Sequence, residues 1–161
     1  MKKSVLALVM AIFLTFVLSL TIPTQSYADS KIQFENYKWG SSIDEVEGII
    51  LSGGFGARRL AGCIPGVSYL NKVFDEEAYI RFFFTPKTKK LHMINVEWDN
   101  KPGWENVYLV NSILKTLTKK YGKPRDLSKS KEGYMWLGEN AELRLIVSSF
   151  KTRLIYCSLL W

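Results

Sequence analysis

Residues 67–98 read VSYLNKVFDEEAYIRFFFTPKTKKLHMINVEW, and this stretch decides the fold class. Three runs rich in aromatic and branched residues, 67–74, 78–85 and 91–98, are separated by the short polar turns 75–77 and 86–90. Runs of this composition between turn-forming residues predict strands. Because the turns are short, we expect the three strands to pair as neighbours in an antiparallel sheet.

An amphipathic helix is predicted on each side of this stretch. The first spans about residues 43–52, because Ser42 and Glu45 have the spacing of a capping box and two glycines follow. The second spans about residues 104–121 and ends at Gly122. Its apolar stripe is predicted from helical periodicity to comprise Val107, Val110, Leu114, Leu117 and Tyr121.

The part of the chain after the second helix repeats the pattern of the first part. A polar loop, 125–132, precedes three further strand signals at 133–137, 141–148 and 153–160. Each half, about 35–100 and 104–161, therefore has the order αβββ. Six antiparallel strands with two helices on one face would bury the apolar sides of all these elements. The predicted fold class is α+β, a two-layer arrangement of two αβββ repeats in a single domain spanning residues 29–161.

Two short motifs carry a resemblance to known proteins. Residues 39–46, WGSSIDEV, resemble the helix start of small exported αβββ proteins, and residues 117–124, LTKKYGKP, resemble a helix end common in exported bacterial proteins. The combination is similar to the superfamily that includes the outer-membrane assembly lipoprotein BamE (SmpA) and the β-lactamase inhibitor protein. This resemblance covers the pattern of residues 35–161. It implies two αβββ units joined in one sheet with a concave binding face.

The amino terminus has the layout of a secretory signal peptide. Lys2 and Lys3 precede an apolar run, 5–20, and Pro23 precedes a small-x-small site at 26–28. The apolar run is shorter than the roughly 20 residues of a spanning helix. We therefore expect residues 1–28 to be removed, although an uncleaved anchor remains open. No cysteine accompanies the apolar run, so a lipoprotein is not expected, and the predicted location is periplasmic or secreted.

The net charge of the chain does not identify its partner. The chain has 22 Lys and Arg against 15 Asp and Glu, a net charge of +7. This excess is compatible with an anionic partner, and equally with solubility alone. Nucleic acid is not expected, because the chain is predicted to be exported and has no clustered basic helix. Stable membrane insertion is not expected after signal cleavage.

The two cysteines, Cys63 and Cys157, form a candidate disulfide. An even cysteine count in an exported chain favours a bridge. The sequence leaves two unpaired thiols equally open, because spacing does not show whether the Cα atoms approach within about 7 Å.

No motif for catalysis, a metal or a cofactor is present in the sequence. His92 is the only histidine and alternates with apolar residues, which indicates a structural role. One histidine and two cysteines do not make an ordinary zinc site. The glycine-rich segment 53–66 lacks the Gly-Lys-Ser/Thr ending of a phosphate loop. We therefore expect no enzymatic activity, no metal and no cofactor.

Strand alternation predicts a binding surface on the side of the sheet away from the helices. The core side is expected to include Ile80, Phe82, Phe84, Ile94, Val96, Trp98, Met135, Leu137, Leu143, Leu145, Val147, Ile155, Cys157 and Leu159. Asn95, Tyr134, Glu142, Ile146, Leu154 and Ser158 are expected on the other side. The predicted binding residues on that side are Tyr79, Arg81, Phe83, Glu97, Trp136, Arg144 and Tyr156.

These residue types favour binding of another molecule. Tyr, Trp and Arg anchor interfaces because they offer large contact areas with few rotamers to lose. The sequence therefore predicts an exported, non-enzymatic protein that holds a protein or peptide partner. The alternatives are an envelope carrier of a small lipid or cell-wall ligand, and a structural accessory of an envelope complex.

Overall fold

The structure, a computed structural model, describes residues 31–100, 104–127 and 133–160. The predicted signal peptide, residues 1–28, lies outside the described residues. Neither helix in the described part of the chain has the length and apolar character needed to cross a membrane.

The described residues form an α+β fold of two helices and one open, eight-stranded antiparallel sheet. The strand order across the sheet is β1-β2-β3-β4-β8-β7-β6-β5. The elements are β1 (Arg58–Arg59), β2 (Gly66–Val73), β3 (Glu76–Phe84), β4 (Leu91–Asp99), β5 (Arg125–Asp126), β6 (Tyr134–Leu137), β7 (Ala141–Val147), β8 (Lys151–Ser158), α1 (Ile43–Ser52) and α2 (Trp104–Tyr121).

Helix α1 has the predicted bounds because its ends are specified locally. The Ser42 backbone amide donates to Glu45 Oε2 at 2.6 Å, and the Glu45 amide donates to Ser42 Oγ at 3.3 Å, which completes the capping box. At the other end, the Gly53 amide donates to the Ile49 carbonyl oxygen at 3.1 Å. Caps of this kind depend on residues within one helical turn, and the sequence therefore reveals them.

Helix α2 also has the predicted bounds, but its buried stripe differs from the predicted one. The buried residues are Leu109, Ile113, Leu117 and Tyr121, whereas Val107 is 59% exposed. The predicted stripe is therefore wrong at its amino-terminal end. Apolar residues cover more than one side of this helix, so helical periodicity alone does not select the side that contacts the core.

Two short edge strands bring the strand total to eight instead of the predicted six. β1 and β5 lie in segments predicted as loops, and they pair with β2 and β6 respectively. Strands of two residues are too short to show a period-two pattern. In β1, Arg59 also contacts α1, with Nη2 at 2.7 Å from Glu47 and 2.8 Å from Asp44.

The core joins both helices to one alternating set of strand residues. Val46 and Ile50 of α1, the four buried residues of α2 and the inward residues of the strands belong to a single hydrophobic cluster. The predicted core assignments in β3 and β4 are confirmed, as are those of Leu143 and Leu145 in β7. Val147, at the end of β7, is instead exposed.

The predicted orientations of β6 and β8 are wrong. Trp136 and Tyr156 are buried at 2% and 5% exposure, and cross-strand pairing places both next to the core residue Leu143. Both alternating sets in these strands contain apolar residues, so a period of two does not decide which set faces the core. Two further residues predicted to face away from the core also belong to it, since Leu154 is buried and Tyr134 packs against the core. The residues predicted to face the core lie elsewhere. Four of them are half-buried on the other side of the sheet, Met135, Leu137, Ile155 and Cys157, and Leu159 is exposed.

Residues 31–39 contact both halves of the sheet, whereas the sequence indicated only a short lead-in. The backbone of Ile32 donates to Asn140 Oδ1 at 3.0 Å and accepts from Asn140 Nδ2 at 3.3 Å. The Tyr37 ring lies 4.5 Å from the ring of Phe82 in the first half. This segment therefore connects the β6–β7 turn to the aromatic core around β3.

Gly133 occupies a position that a side chain would disrupt. Its φ is +80°, and a Cβ there would overlap the Leu145 carbonyl group. We expect Gly133→Ala to lower the free energy of unfolding by about 2–3 kcal/mol, measured by urea denaturation. Gly48→Ala is the control, because Gly48 lies in α1 with no atom close to its Cβ position. It should raise stability by about 0.5–1 kcal/mol. A neutral Gly133→Ala variant would contradict the described backbone.

Candidate binding surface

The candidate site is the side of the sheet opposite the core residues, here called the outer face. Residues paired directly across antiparallel strands project to the same side. One row runs across all eight strands and another, centred on Glu97, across five. The first row is Arg58, Ser68, Arg81, Asn95, Ile155, Arg144, Met135 and Arg125, and the second is Leu70, Tyr79, Glu97, Arg153 and Ile146.

A buried carboxylate surrounded by three cations lies near the middle of the outer face. Glu97 of β4 is only 3% exposed. Lys151 Nζ lies 2.5 Å from Glu97 Oε1, Arg153 Nε donates to Oε2 at 3.0 Å, and Arg81 Nη1 is 3.2 Å from Oε2. We call these four residues the Glu97 cluster. β4 lies between β3, which provides Arg81, and β8, which provides the other two cations.

The cations of the Glu97 cluster keep its carboxylate charged. Burial raises the pKa of Glu97, but the hydrogen bonds from Lys151 and Arg153 and the charge of Arg81 lower it more, so the pKa lies below its usual value. A buried charge without partners would cost several kcal/mol, and the three cations offset this cost. The carboxylate in turn holds three long basic side chains in one arrangement.

The basic side chains of the cluster are still accessible from solvent. The side chains of Arg81 and Arg153 are partly exposed, and Arg81 also lies 5.7 Å from the centre of the Tyr79 ring. Arg153 contacts Glu97 through Nε alone, so its two terminal nitrogens contact no acceptor among the described residues. A guanidinium group has five N–H donors, and these nitrogens can bind a further acceptor.

A second polar pair lies on the neighbouring strand of the outer face. Arg144 Nη2 is 3.0 Å from Glu142 Oε1, while the buried Nε of Arg144 has no partner in the described part of the chain. The buried Oδ1 of Asn95 likewise has none there. Ile155 lies between Asn95 and Arg144 in the same cross-strand row. The outer face therefore contains apolar groups and polar groups without hydrogen-bond partners between its cations.

Five of the seven predicted site residues lie on the outer face. Tyr79, Arg81 and Glu97 lie together, Phe83 is half-buried one row away, and Arg144 lies two strands from Glu97. The predicted placement of Trp136 and Tyr156 on this face is wrong, because both side chains are buried in the core. The Trp136 indole donates to the Gly122 carbonyl oxygen at 2.9 Å, so its polar group is satisfied there.

Sequence reasoning missed Lys151 and Arg153 as site residues. The predicted last strand began at residue 153, which left Lys151 in a turn. The alternation of Lys151, Arg153 and Ile155 on one side of β8 was the available signal. It becomes meaningful only with the pairing of β8 to β4, which places Arg153 opposite Glu97.

Of the two alternatives left open for Cys63 and Cys157, the structure has the two free thiols and no disulfide. Gly66, three residues after Cys63, stands in the same cross-strand row as Cys157, with β3 and β4 between them. Three strand spacings place the Cα atoms of Gly66 and Cys157 roughly 14 Å apart. Burial raises the pKa of the Cys157 thiol, which keeps it protonated at neutral pH.

The only histidine of the chain, His92, lies on β4. His92 is half-buried, and burial lowers its pKa, so the imidazole is neutral at pH 7. Within the described ranges, no three His, Cys, Asp or Glu side chains are grouped to hold a metal ion.

A cleft of about 340 Å³ lies beside the amino-terminal end of α2. Its lining includes four carboxylates together with the aromatic rings of Tyr79 and Trp98. The carboxylates are Glu76, Glu77, Asp99 and Glu105.

Comparison of the chain with protein-family models, with curated proteins and with solved structures finds no match. Its function is therefore inferred from its own residues and their geometry.

Proposed function

We propose that this chain is an exported, non-enzymatic binding protein that holds a protein or peptide partner against the outer face. The observation that supports this proposal best is the Glu97 cluster, in which Arg81 and Arg153 are fixed in place but partly exposed. Tyr79 lies beside them. Fixed Arg and Tyr side chains are typical of interface anchors, because little rotamer freedom is lost when a partner binds.

The proposal includes a duplicated architecture, with two αβββ units whose helices cover one side of the sheet. Two observations support it. The strand order has the same arrangement outward from the centre, with β4-β3-β2-β1 on one side and β8-β7-β6-β5 on the other. The buried residues of both helices belong to the same core cluster as the inward strand residues. The sequence resemblance to the BamE and β-lactamase inhibitor protein superfamily is consistent with such an arrangement and with an uncovered binding face.

The proposed location is the periplasm or the exterior of a bacterial cell. Lys2, Lys3 and the apolar run 5–20 support it, because they have the layout of an export signal. The two alternatives, a carrier of a small lipid or cell-wall ligand and a structural accessory, gain no specific support. The cleft beside α2 is lined by aromatic rings as well as carboxylates, and nothing in its lining selects a lipid or cell-wall ligand.

Photo-cross-linking in the producing cell tests the proposed binding face. A benzophenone amino acid at Tyr79 should give a discrete adduct with one partner protein, because Tyr79 lies on the outer face beside Arg81. The same amino acid at Lys115, an exposed position on α2, is the matched control and should give none. Equal adducts at both positions, or none at Tyr79, would contradict the proposal.

A further inference from the structure

We propose that the segment bound on the outer face is acidic, and that Arg81, Arg144 and Arg153 bind its carboxylates. This inference rests on the proposed function and names the chemistry of the partner. The occupant is an extended, acidic segment of a protein.

The balance of charge on the outer face supports an acidic occupant. In the described strands, cross-strand pairing places four carboxylates and seven basic residues on this face, so basic groups are in excess. The carboxylates are Glu77, Glu97, Asp99 and Glu142, and the last three are within ion-pair distance of a cation of the same face. The basic residues are Arg58, Lys72, Arg81, Arg125, Arg144, Lys151 and Arg153.

The free donors of the arginines suit carboxylates in particular. The terminal nitrogens of Arg153 donate no hydrogen bond to a described residue, and the Arg144 side chain, though its Nε is buried, is partly exposed. A guanidinium group binds a carboxylate through two parallel N–H donors, and this geometry gives specificity as well as affinity. Carboxylates of a partner can reach the exposed guanidinium nitrogens of Arg153 and Arg144.

The spacing of the arginines fits an extended segment that crosses the strands. Arg81 and Arg153 are on β3 and β8, which are separated by β4, so their backbones are roughly 10 Å apart. Arg144, on β7, is one strand farther. An extended peptide advances about 3.3 Å per residue, so acidic residues two to four positions apart would reach successive arginines.

Carboxylates within the face make a polyphosphate or a membrane a poorer fit. Glu97 lies between Arg81 and Arg153, and Glu142 is paired with Arg144, so these carboxylates would repel a continuous row of phosphates, whereas a peptide can place an apolar residue opposite them. The half-buried Ile155, in the row between Asn95 and Arg144, offers an apolar surface for such residues.

Glu97 acts here as a positioning residue. It binds no partner atom itself, since it is buried beneath the three cations, but it restricts Arg81, Lys151 and Arg153 to one arrangement. Side chains that are ordered before binding lose less entropy on binding. Removal of the Glu97 charge would therefore weaken binding of an acidic peptide even though it makes the face more positive.

Fluorescence anisotropy with short dye-labelled peptides tests the inference. The probes are a peptide of alternating Glu and Tyr and its counterpart of alternating Gln and Tyr. We expect the acidic peptide to bind at least roughly tenfold more tightly at low ionic strength, with affinity falling as salt is added. Equal affinity for the two peptides would overturn the inference. So would tighter binding of a thymidine oligonucleotide or of phosphatidylglycerol vesicles.

Two pairs of variants separate specific contacts from general attraction. Arg81→Gln with Arg153→Gln should weaken binding of the acidic peptide by roughly tenfold or more. Lys115→Gln with Lys119→Gln removes the same charge from the exposed surface of α2 and should change the affinity for the acidic peptide less than twofold. An equal loss in both double variants would show attraction by net charge alone and would overturn the inference.

The Glu97→Gln variant tests positioning, with Asp99→Asn as the matched control. Both changes add one unit of positive charge to the outer face, but only Glu97 is buried within the cluster. We expect Glu97→Gln to weaken acidic-peptide binding by roughly fivefold and Asp99→Asn to leave it equal or stronger. Tighter binding by Glu97→Gln, with the far-ultraviolet circular dichroism spectrum unchanged, would overturn the positioning role.

The peptide and cross-linking experiments can fail separately. A specific cross-link at Tyr79 combined with no preference for the acidic peptide would overturn this inference alone. Absence of the cross-link would contradict the proposed function itself.

Discussion

Trp136→Ala is expected to lower the free energy of unfolding by about 3–5 kcal/mol, the usual cost of removing a buried aromatic side chain. Trp136 is 2% exposed, lies beside Leu143 and donates its indole N–H to the Gly122 carbonyl oxygen. The substitution leaves a cavity in the core and an unpaired carbonyl group at the end of α2. Urea denaturation followed by circular dichroism measures the loss.

The matched control for Trp136→Ala is the same substitution at Trp104. Trp104 begins α2 and is 74% exposed, so Trp104→Ala should change the free energy of unfolding by less than about 0.5 kcal/mol. A small effect at Trp136, comparable with that at Trp104, would instead support the orientation of β6 predicted from sequence, with Trp136 on the outer face.

The second large effect is expected at Glu97. Glu97→Gln should lower the free energy of unfolding at pH 7 by about 2 kcal/mol, because three cations lose their shared carboxylate. This value lies below that for a fully buried ion pair, since the cations are partly exposed and water replaces part of the interaction. Asp99→Asn, at a carboxylate that is 74% exposed in its side chain, should have a much smaller effect.

The stabilisation by Glu97 should depend on pH in a defined direction. The cations hold the pKa of Glu97 in the folded protein below its ordinary value of 4.5. The contribution is therefore fully present above pH 4.5 and is lost as the pH falls through the lower, folded-state pKa. The difference in stability between the unaltered protein and Glu97→Gln should shrink between pH 7 and about pH 3. A constant difference over this range would contradict the charge assignment.

The β4–β8 pairing creates the candidate site. It places Arg153 opposite Glu97 and Lys151 opposite Asp99. Glu97 and Lys151 are 54 positions apart in the chain, so no local pattern relates them. The sequence identified Glu97 and Arg81 as outer-face residues but not the cluster that they form.

Local signals in the sequence determined both helices and six of the strands. Capping boxes, glycine stops and turn residues act within a few positions along the chain, so Ser42, Glu45 and Gly122 mark the helix ends without knowledge of the rest. The alternation in β3 and β4 also identified the residues that face the core, because the charged residues Arg81 and Glu97 lie on the opposite side from the buried apolar ones.

Only the tertiary structure decided the orientation of β6 and β8, the edge strands β1 and β5, and the place of residues 31–39. Each depends on partners that are distant in the chain, such as Asn140 for Ile32 and Leu143 for Trp136. Where both sides of a strand are apolar, core packing selects the orientation, since a shift of one residue exchanges every buried side chain for an exposed one. Local patterns therefore specify the elements, whereas strand pairing specifies the surface they present.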